Sequence, residues 1–258
     1  MARLYNERMQ GQVIVITGAS AGIGEAFARL AASKGARVVL VARREAELNV
    51  VRDACGADAL AVVADVSRRG EVQRVVSEAL ARFGAIDVWI NNVGQGISRN
   101  PSELTDEDID AVMQVNVKSA LYGMQSVLPH FKSRGRGQII NVSSMLGRTP
   151  FAVIRSAYCG AKHFLNALTA TFRAETQATH PDIQVSLVSP GIVRTDFGLN
   201  AMHGGPDSRS FPGSQSAEEV AAVIAYVVET RKPDVYTRVG AKSGVVDYLN
   251  RLTEDPVG

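Results

Sequence analysis

The sequence predicts an α/β fold, a doubly wound parallel sheet in a single domain spanning residues 1–258. Three observations predict it. Strand-like and helix-like segments alternate from end to end, most strand-like runs are apolar on both faces, and the glycine-rich and polar motifs fall where strands end. A strand buried on both faces needs helices above and below it. Parallel neighbours need crossovers, which helices supply. Ligands in such sheets bind beyond the carboxyl ends of the strands.

The elements follow in order. Residues 12–17 (QVIVIT) are a β-branched run that stops at glycines, hence a buried strand. Residues 22–34 continue as a helix with Gly35 as its C-cap. A second strand (37–42), a helix (45–55), a third strand (59–64) and a helix (69–83) come next, then a fourth strand (86–91). Thr105 opens a long helix with acidic residues in its first turn, where they suit the helix dipole, and the helix is expected to run to about His130. A fifth strand (138–143), a long helix (156–178), a sixth strand (183–189), a helix (216–230), a short strand (234–237) and a closing helix (242–252) complete the chain.

Composition narrows the function. A chain of 258 residues, 46% hydrophobic and 21% charged, can bury a large core. Its 28 basic and 26 acidic residues leave a formal charge of +2, which speaks against a nucleic-acid or membrane surface. Cys55 and Cys159 are too few for a disulfide framework and fit no zinc spacing, and the four histidines (His130, His163, His180, His203) show no metal-ligand spacing. A reduced, cytoplasmic setting without a metal is expected. Residues 1–10 are polar, unlike a secretory signal, and the longest apolar run, 220–228, is about half of a membrane span.

Two motifs suggest chemistry. Thr17-Gly18-Ala19-Ser20-Ala21-Gly22-Ile23-Gly24 joins the first strand to the first helix. Its glycines allow a tight turn and close backbone approach, and the helix N-terminus offers N–H groups to a pyrophosphate. Tyr158-Cys159-Gly160-Ala161-Lys162 puts Tyr158 and Lys162 on one helical face. A free tyrosine titrates near pH ~10, too high for efficient proton transfer at neutrality, and a neighbouring ammonium is expected to lower it. Upstream, Asn141-Val142-Ser143-Ser144 closes the fifth strand with hydroxyls that can meet a substrate oxygen.

Taken together these motifs resemble the short-chain dehydrogenase/reductase family over nearly the whole chain, with a Rossmann-like sheet. The matches also include Asp65-Val66, Asn91-Asn92-Val93-Gly94, Asn116 and Pro190-Gly191-Ile192-Val193-Arg194-Thr195, in the family's order. The resemblance implies an oxidoreductase that moves a hydride between a nicotinamide cofactor and a ketone or secondary alcohol. It implies Tyr158 as general acid or base and Lys162 as the group that lowers its pKa and binds the nicotinamide ribose. Ser144 would orient the substrate oxygen, and Asn116 would hold a water linking Lys162 to solvent. Gly18, Ser20, Gly22, Ile23 and Gly24 would cradle the cofactor, Asp65 and Val66 would lie at the adenine, Asn91 and Gly94 would flank the cofactor, and Pro190, Gly191, Ile192 and Thr195 would lie at the nicotinamide. Two features depart from the family's pattern. Val93 stands where alanine is common, and Ser144 lies fourteen positions before Tyr158 instead of the usual thirteen. Ser143 is the alternative to Ser144, which is favoured.

The second strand ends Val41-Ala42-Arg43-Arg44, with no carboxylate for a ribose 2′-hydroxyl and two guanidiniums suited to a 2′-phosphate. NADP is therefore expected over NAD, with Arg43 the principal contact. A substrate lid is expected near residues 192–215, where Phe197, Leu199, Met202, His203 and Phe211 mix with glycines and prolines. Met145, Phe151 and Ile154 would face it, so an apolar small-molecule substrate is expected. The resemblance also implies a homodimer or homotetramer through the two long helices. A cofactor-sensing, non-catalytic regulator on the same fold is the alternative reading, but it need not keep Asn116, Ser144, Tyr158 and Lys162 together.

Overall fold

The structure is a computed structural model and describes residues 9–252; the expectations placed on residues 1–8 and 253–258 lie outside the described residues. The elements are β1 Val13–Thr17, α1 Gly22–Ser33, β2 Arg37–Ala42, α2 Glu45–Cys55, β3 Ala59–Val63, α3 Arg69–Phe83, β4 Val88–Asn91, α4 Asp106–Met113, α5 Ser119–Arg134, β5 Gly137–Val142, α6 Ser156–Thr179, β6 Ile183–Ser189, α7 Ala217–Thr230, β7 Asp234–Tyr236 and α8 Ala241–Leu252. The seven strands form one sheet in the order β3-β2-β1-β4-β5-β6-β7, and every neighbouring pair is parallel. This is the doubly wound Rossmann-like sheet that the alternation predicts.

Strand residues feed two cores by turns, because successive side chains point to opposite faces. Ile14 and Ile16 of β1 join Phe27 and Ala31 of α1 and Val220 and Ile224 of α7 on one face. Val13 and Val15 join Val72 and Val75 of α3 and Met124, Val127 and Phe131 of α5 on the other. All five residues of β1 are buried, as are all seven of β6. The chain reverses its winding between β1 and β4, so a crevice opens at their carboxyl ends, at Thr17 and Asn91.

The long helix differs from expectation in two respects. It does not stop near His130 but runs to Arg134 through Pro129. A proline removes one helical donor, whereas Phe131 beyond it is fully buried, so packing carries the helix past the proline until Gly135 ends it in the left-handed region. The helix is also interrupted. Residues Gln114–Lys118 form a π turn between α4 and α5. At the start of α4, Thr105 and Asp108 form a reciprocal capping box. β4 begins at Val88, two residues later than expected, because Ile86 N donates to His130 Nε2 and the Asp87 carboxylate accepts from Val13 N.

Candidate active site

The turn after β1 is built for close approach. Gly18 and Gly22 have φ of 69° and 59°, a region that side chains other than glycine's rarely adopt. A Cβ on Gly24 would lie 2.2 Å from the Gly18 carbonyl oxygen, so the helix can pack on the turn only through a bare backbone. No side chain caps α1, whose N-cap is Ala21. Its first-turn N–H groups therefore remain available to an anion. The uncapped helix and the glycine cradle fit the pyrophosphate of a dinucleotide.

Asn92, which sequence reasoning passed over, holds this turn. Its side-chain amide donates to the carbonyls of Thr17 (3.1 Å) and Gly18 (3.3 Å), and its backbone N–H donates to Thr17 Oγ1 (3.0 Å). Its neighbour Asn91 points its side chain the other way. Asn91 accepts from Trp89 Nε1 and donates to Asn141 Oδ1 at 2.8 Å, and Asn141 in turn donates to Thr169. The Asn91 side chain thus ties β4 to β5 and the helices behind them, which leaves only its backbone for the crevice. The alternation of strand side chains, applied to Asn91-Asn92, is the signal that could have separated the two.

Beyond β4, Gly94 lies where a Cβ would meet Asn116 Oδ1 at 3.1 Å and Lys162 Nζ at 3.5 Å. Asn116 is fully buried within the π turn. Its side chain accepts from Gln95 N (3.1 Å) and donates to Gln95 O and Val112 O (both 2.9 Å). The π turn, a distortion common at functional sites, frees Asn116 to clamp the 94–95 backbone beside Lys162.

Tyr158 and Lys162 project from the first turns of α6 toward the end of β5. Lys162 Nζ donates to Val142 O at 3.1 Å and lies 5.7 Å from the Tyr158 ring centroid. Ser144 lies close enough to the Tyr158 phenol to pull its pKa downward. Ser144 also accepts from Leu146 N (3.1 Å), whereas Ser143 donates to Asn166 Oδ1 at 2.5 Å on the opposite side of the chain. The two serines therefore separate as their alternation requires, and only Ser144 faces Tyr158. The extra residue between Ser144 and Tyr158 lies in a loop that makes 3₁₀ turns at Met145–Gly147 and Val153–Arg155.

The electrostatics differ from the simple expectation that Lys162 lowers the Tyr158 pKa. Burial pushes the Tyr158 phenol up to about 12, against a downward pull from the Ser144 hydrogen bond. Burial also pushes Lys162 from 10.5 down to about 8. The same burial disfavours both charges.

A stability consequence follows for Lys162. Between pH 8 and 10.5 the unfolded chain holds a proton that the folded chain has released, so this contribution grows as pH rises and is lost as pH falls through 8. From pH 8 to 10, Lys162→Met should lose about 2–3 kcal/mol of stability relative to the wild type, in urea titrations at each pH. Parallel curves would mean that the buried lysine keeps its proton.

At the β2–β3 corner, Arg43 is exposed and Arg44 donates to Ser20 Oγ at 3.2 Å. Arg43 lines a hollow of ≈ 250 Å³ with Val63, Ala64, Asp65, Arg68 and Glu71. Asp65 accepts from the backbone and hydroxyl of Ser67, and its pKa is lowered because these bonds, with Arg43 and Arg68, outweigh its desolvation. Val66 is buried in the core beneath. A larger hollow of ≈ 460 Å³ lies at the opposite end of the sheet. There Arg37, Arg134 and Arg231 donate to carbonyls at the strand starts, so it is remote from the residues above.

Residues 192–215 fold back over the crevice. The base of the segment is closed by Gln215 N→Ile192 O and Arg194 N→Gln215 O. Pro190 O accepts from Met145 N, which joins the two loops that follow β5 and β6. A Cβ on Gly22 would meet Thr195 Cγ2 at 3.1 Å, and the Phe197 ring lies 5.6 Å from that of Tyr158. Gly191 is packed under Arg238, and Ile192 is exposed. Met202 pairs with Ile97 across the crevice.

A model of the family described as short chain dehydrogenase matches residues 12–203. The chain belongs to that family. Among its relatives, the short-chain dehydrogenase is 34% identical to an uncharacterized oxidoreductase, YxnA, of Bacillus subtilis, over 97% of this chain and 71% of the relative. It is 37% identical to a 1,6-dihydroxycyclohexa-2,4-diene-1-carboxylate dehydrogenase of Pseudomonas putida, over 81% of this chain and 75% of the relative. A short chain dehydrogenase/reductase from Burkholderia phymatum, solved in complex with NAD, is similar with a TM-score of 0.86 at 26% identity, covering 97% of this chain and 99% of that one. An alcohol dehydrogenase from the archaeon Thermococcus sibiricus, complexed with 5-hydroxy-NADP, is similar with a TM-score of 0.76 at 28% identity, covering 88% and 96%. The protein is therefore a short-chain oxidoreductase on a nucleotide-binding fold. No helix among the described residues is long and apolar enough to cross a membrane.

Proposed function

We propose that this short-chain dehydrogenase is an NADP(H)-dependent enzyme that interconverts a ketone and a secondary alcohol. The observation that carries the reading is the meeting of Tyr158, Ser144 and Lys162 at the end of β5, beside the glycine turn after β1. The nicotinamide, when bound, supplies or accepts the hydride. Ser144 Oγ and Tyr158 Oη form one polar spot under Phe197 where a carbonyl oxygen can be held. In reduction Tyr158 gives its proton to that oxygen and Ser144 donates a hydrogen bond to it. A phenol held near pH 12 keeps its proton at neutrality and so stands ready as the acid. Lys162 lies close enough to favour the phenolate once charge develops. Asn116 positions the 94–95 backbone beside both groups, and Thr195 closes over Gly22. Residues 192–215 act as the lid, faced by Met145, Phe151 and Ile154, of which Phe151 also packs edge-on against Tyr248.

Arg43 selects NADP by pairing with the 2′-phosphate in the hollow it shares with Asp65. Arg43→Ala should reduce the preference for NADPH over NADH at least about tenfold, because a charge-assisted pair is worth about 1.5–3 kcal/mol. Fluorescence titration of both cofactors checks this, and an unchanged ratio overturns the assignment. The working form is a homodimer or homotetramer through α5 and α6, where Phe164 presents an exposed ring. The free thiols of Cys55 and Cys159 suit a reducing, cytoplasmic setting.

A further inference from the structure

Arg155 is the N-cap of α6, three residues before Tyr158, and the charges of the two groups act on each other. Its guanidinium is half-buried, and burial lowers its pKa against the raising effect of Tyr158 and Cys159. Nη1 donates to Ile97 O at 3.1 Å. Among the described residues the guanidinium has no carboxylate partner, although a partly buried charge ordinarily has one. A guanidinium has five donors, and one carbonyl leaves most of them unused.

The surroundings share this shortage of acceptors. Ser98 Oγ and Ser156 Oγ are buried and have no hydrogen-bond partner. A Cβ on Gly205 of the lid would meet Gly198 O at 2.6 Å, Arg155 Nη2 at 2.8 Å and Ser98 Oγ at 2.9 Å, so the guanidinium and the hydroxyl are neighbours beneath the lid, with one backbone carbonyl beside them. α6 is 24 residues long, has no side-chain cap and carries no acidic residue in its first turn, so its positive end faces the same region. Arg155 and Ser98 can both donate to one anionic oxygen group, and Ser156 in the first turn of α6 carries a further hydroxyl without a partner.

We propose that Arg155, with Ser98, binds a carboxylate on the substrate, which makes the substrate a hydroxy acid or keto acid with an apolar body. The inference rests on the reading of Tyr158 as the catalytic acid, since Arg155 precedes it by three residues at the start of α6. The apolar body lies against Phe197, and the lid closes over the acid through Gly205, where the lack of a side chain leaves Arg155 room.

The test has two arms. Binding is read by titrating benzoate, and separately benzamide, into the protein–NADPH complex and following cofactor fluorescence. Benzoate should bind at least about tenfold tighter, and Arg155→Gln should remove most of that advantage while Arg155→Lys keeps part of it. Turnover is read with a panel of keto acids, each beside its methyl ester. The acids should be favoured, and Arg155→Gln should lower the acid-to-ester ratio at least about tenfold, chiefly through KM. Equal binding of benzoate and benzamide overturns the proposal, as does a loss in Arg155→Gln that is the same for acid and ester, which is the mark of a structural strap. Esters reduced as well as acids would overturn the carboxylate site and leave the carbonyl-reductase reading standing. Benzoate discrimination without reduction of any carbonyl would support the site and count against that reading.

Discussion

Tyr158→Phe is expected to lower turnover by about 10²- to 10⁴-fold while leaving the fold and cofactor binding intact. The substitution removes one oxygen and keeps the ring. The ring is buried, packs against Phe197 and lies beside Lys162, and none of those contacts needs the hydroxyl. The structural loss is the hydroxyl's interaction with Ser144, worth about 1 kcal/mol at most, so urea midpoints should shift little. The chemical loss is the group proposed to hand its proton to the carbonyl oxygen. Ser144 is a weaker acid, and Lys162 directs its ammonium to Val142 O. Initial rates and cofactor titrations on the same preparation separate the two losses. Full activity in Tyr158→Phe would remove Tyr158 from the mechanism.

Gly24→Ala is the second large effect. The new methyl would lie 2.2 Å from the Gly18 carbonyl oxygen and 2.7 Å from Asn92 Nδ2. The first is backbone, and the second is held by two hydrogen bonds to the turn. Neither can yield without moving the turn, so the overpacking cost is expected at about 3 kcal/mol or more, at the upper end for such changes. The movement displaces the N–H groups that would face the pyrophosphate, and NADPH should bind at least about tenfold more weakly. Gly160→Ala is the matched control. It lies on the exposed face of α6 with no atom near its added Cβ, and should be neutral or stabilising by about 0.5–1 kcal/mol. Normal NADPH binding in Gly24→Ala would place the cofactor elsewhere.

The sheet was legible because β-branched runs such as VIVIT and RVVLVA can be buried on both faces only between helices. The boundaries of α2 and α3 fall where their flanking turns predict. What escaped the sequence depends on partners distant along the chain. Pro129 suggests an early stop to the long helix, but the burial of Phe131 keeps it going. The π turn at Asn116 carries no period of its own, and it exists because the Asn116 side chain finds the Gln95 backbone. Asn91 and Asn92 are adjacent and identical, and only the strand pleat assigns one to the core and the other to the glycine turn. The spacing of Tyr158 and Lys162 is visible in the sequence, whereas the burial that pushes the phenol up and the ammonium down is not. Arg155 attracts no notice as a residue type. Its lack of a carboxylate partner is a property of three dimensions.

The central claim is hydride transfer to a carbonyl held at Tyr158 and Ser144. Its most direct test is to incubate the protein with NADPH deuterated at both C4 positions and a panel of ketones and keto acids, then to weigh the alcohols formed. The account predicts an alcohol carrying one deuterium on the former carbonyl carbon, made by the wild type and essentially absent with Tyr158→Phe. Protein that binds the cofactor yet yields no deuterated alcohol from any member of the panel, or that labels it equally well without the Tyr158 hydroxyl, would contradict the account.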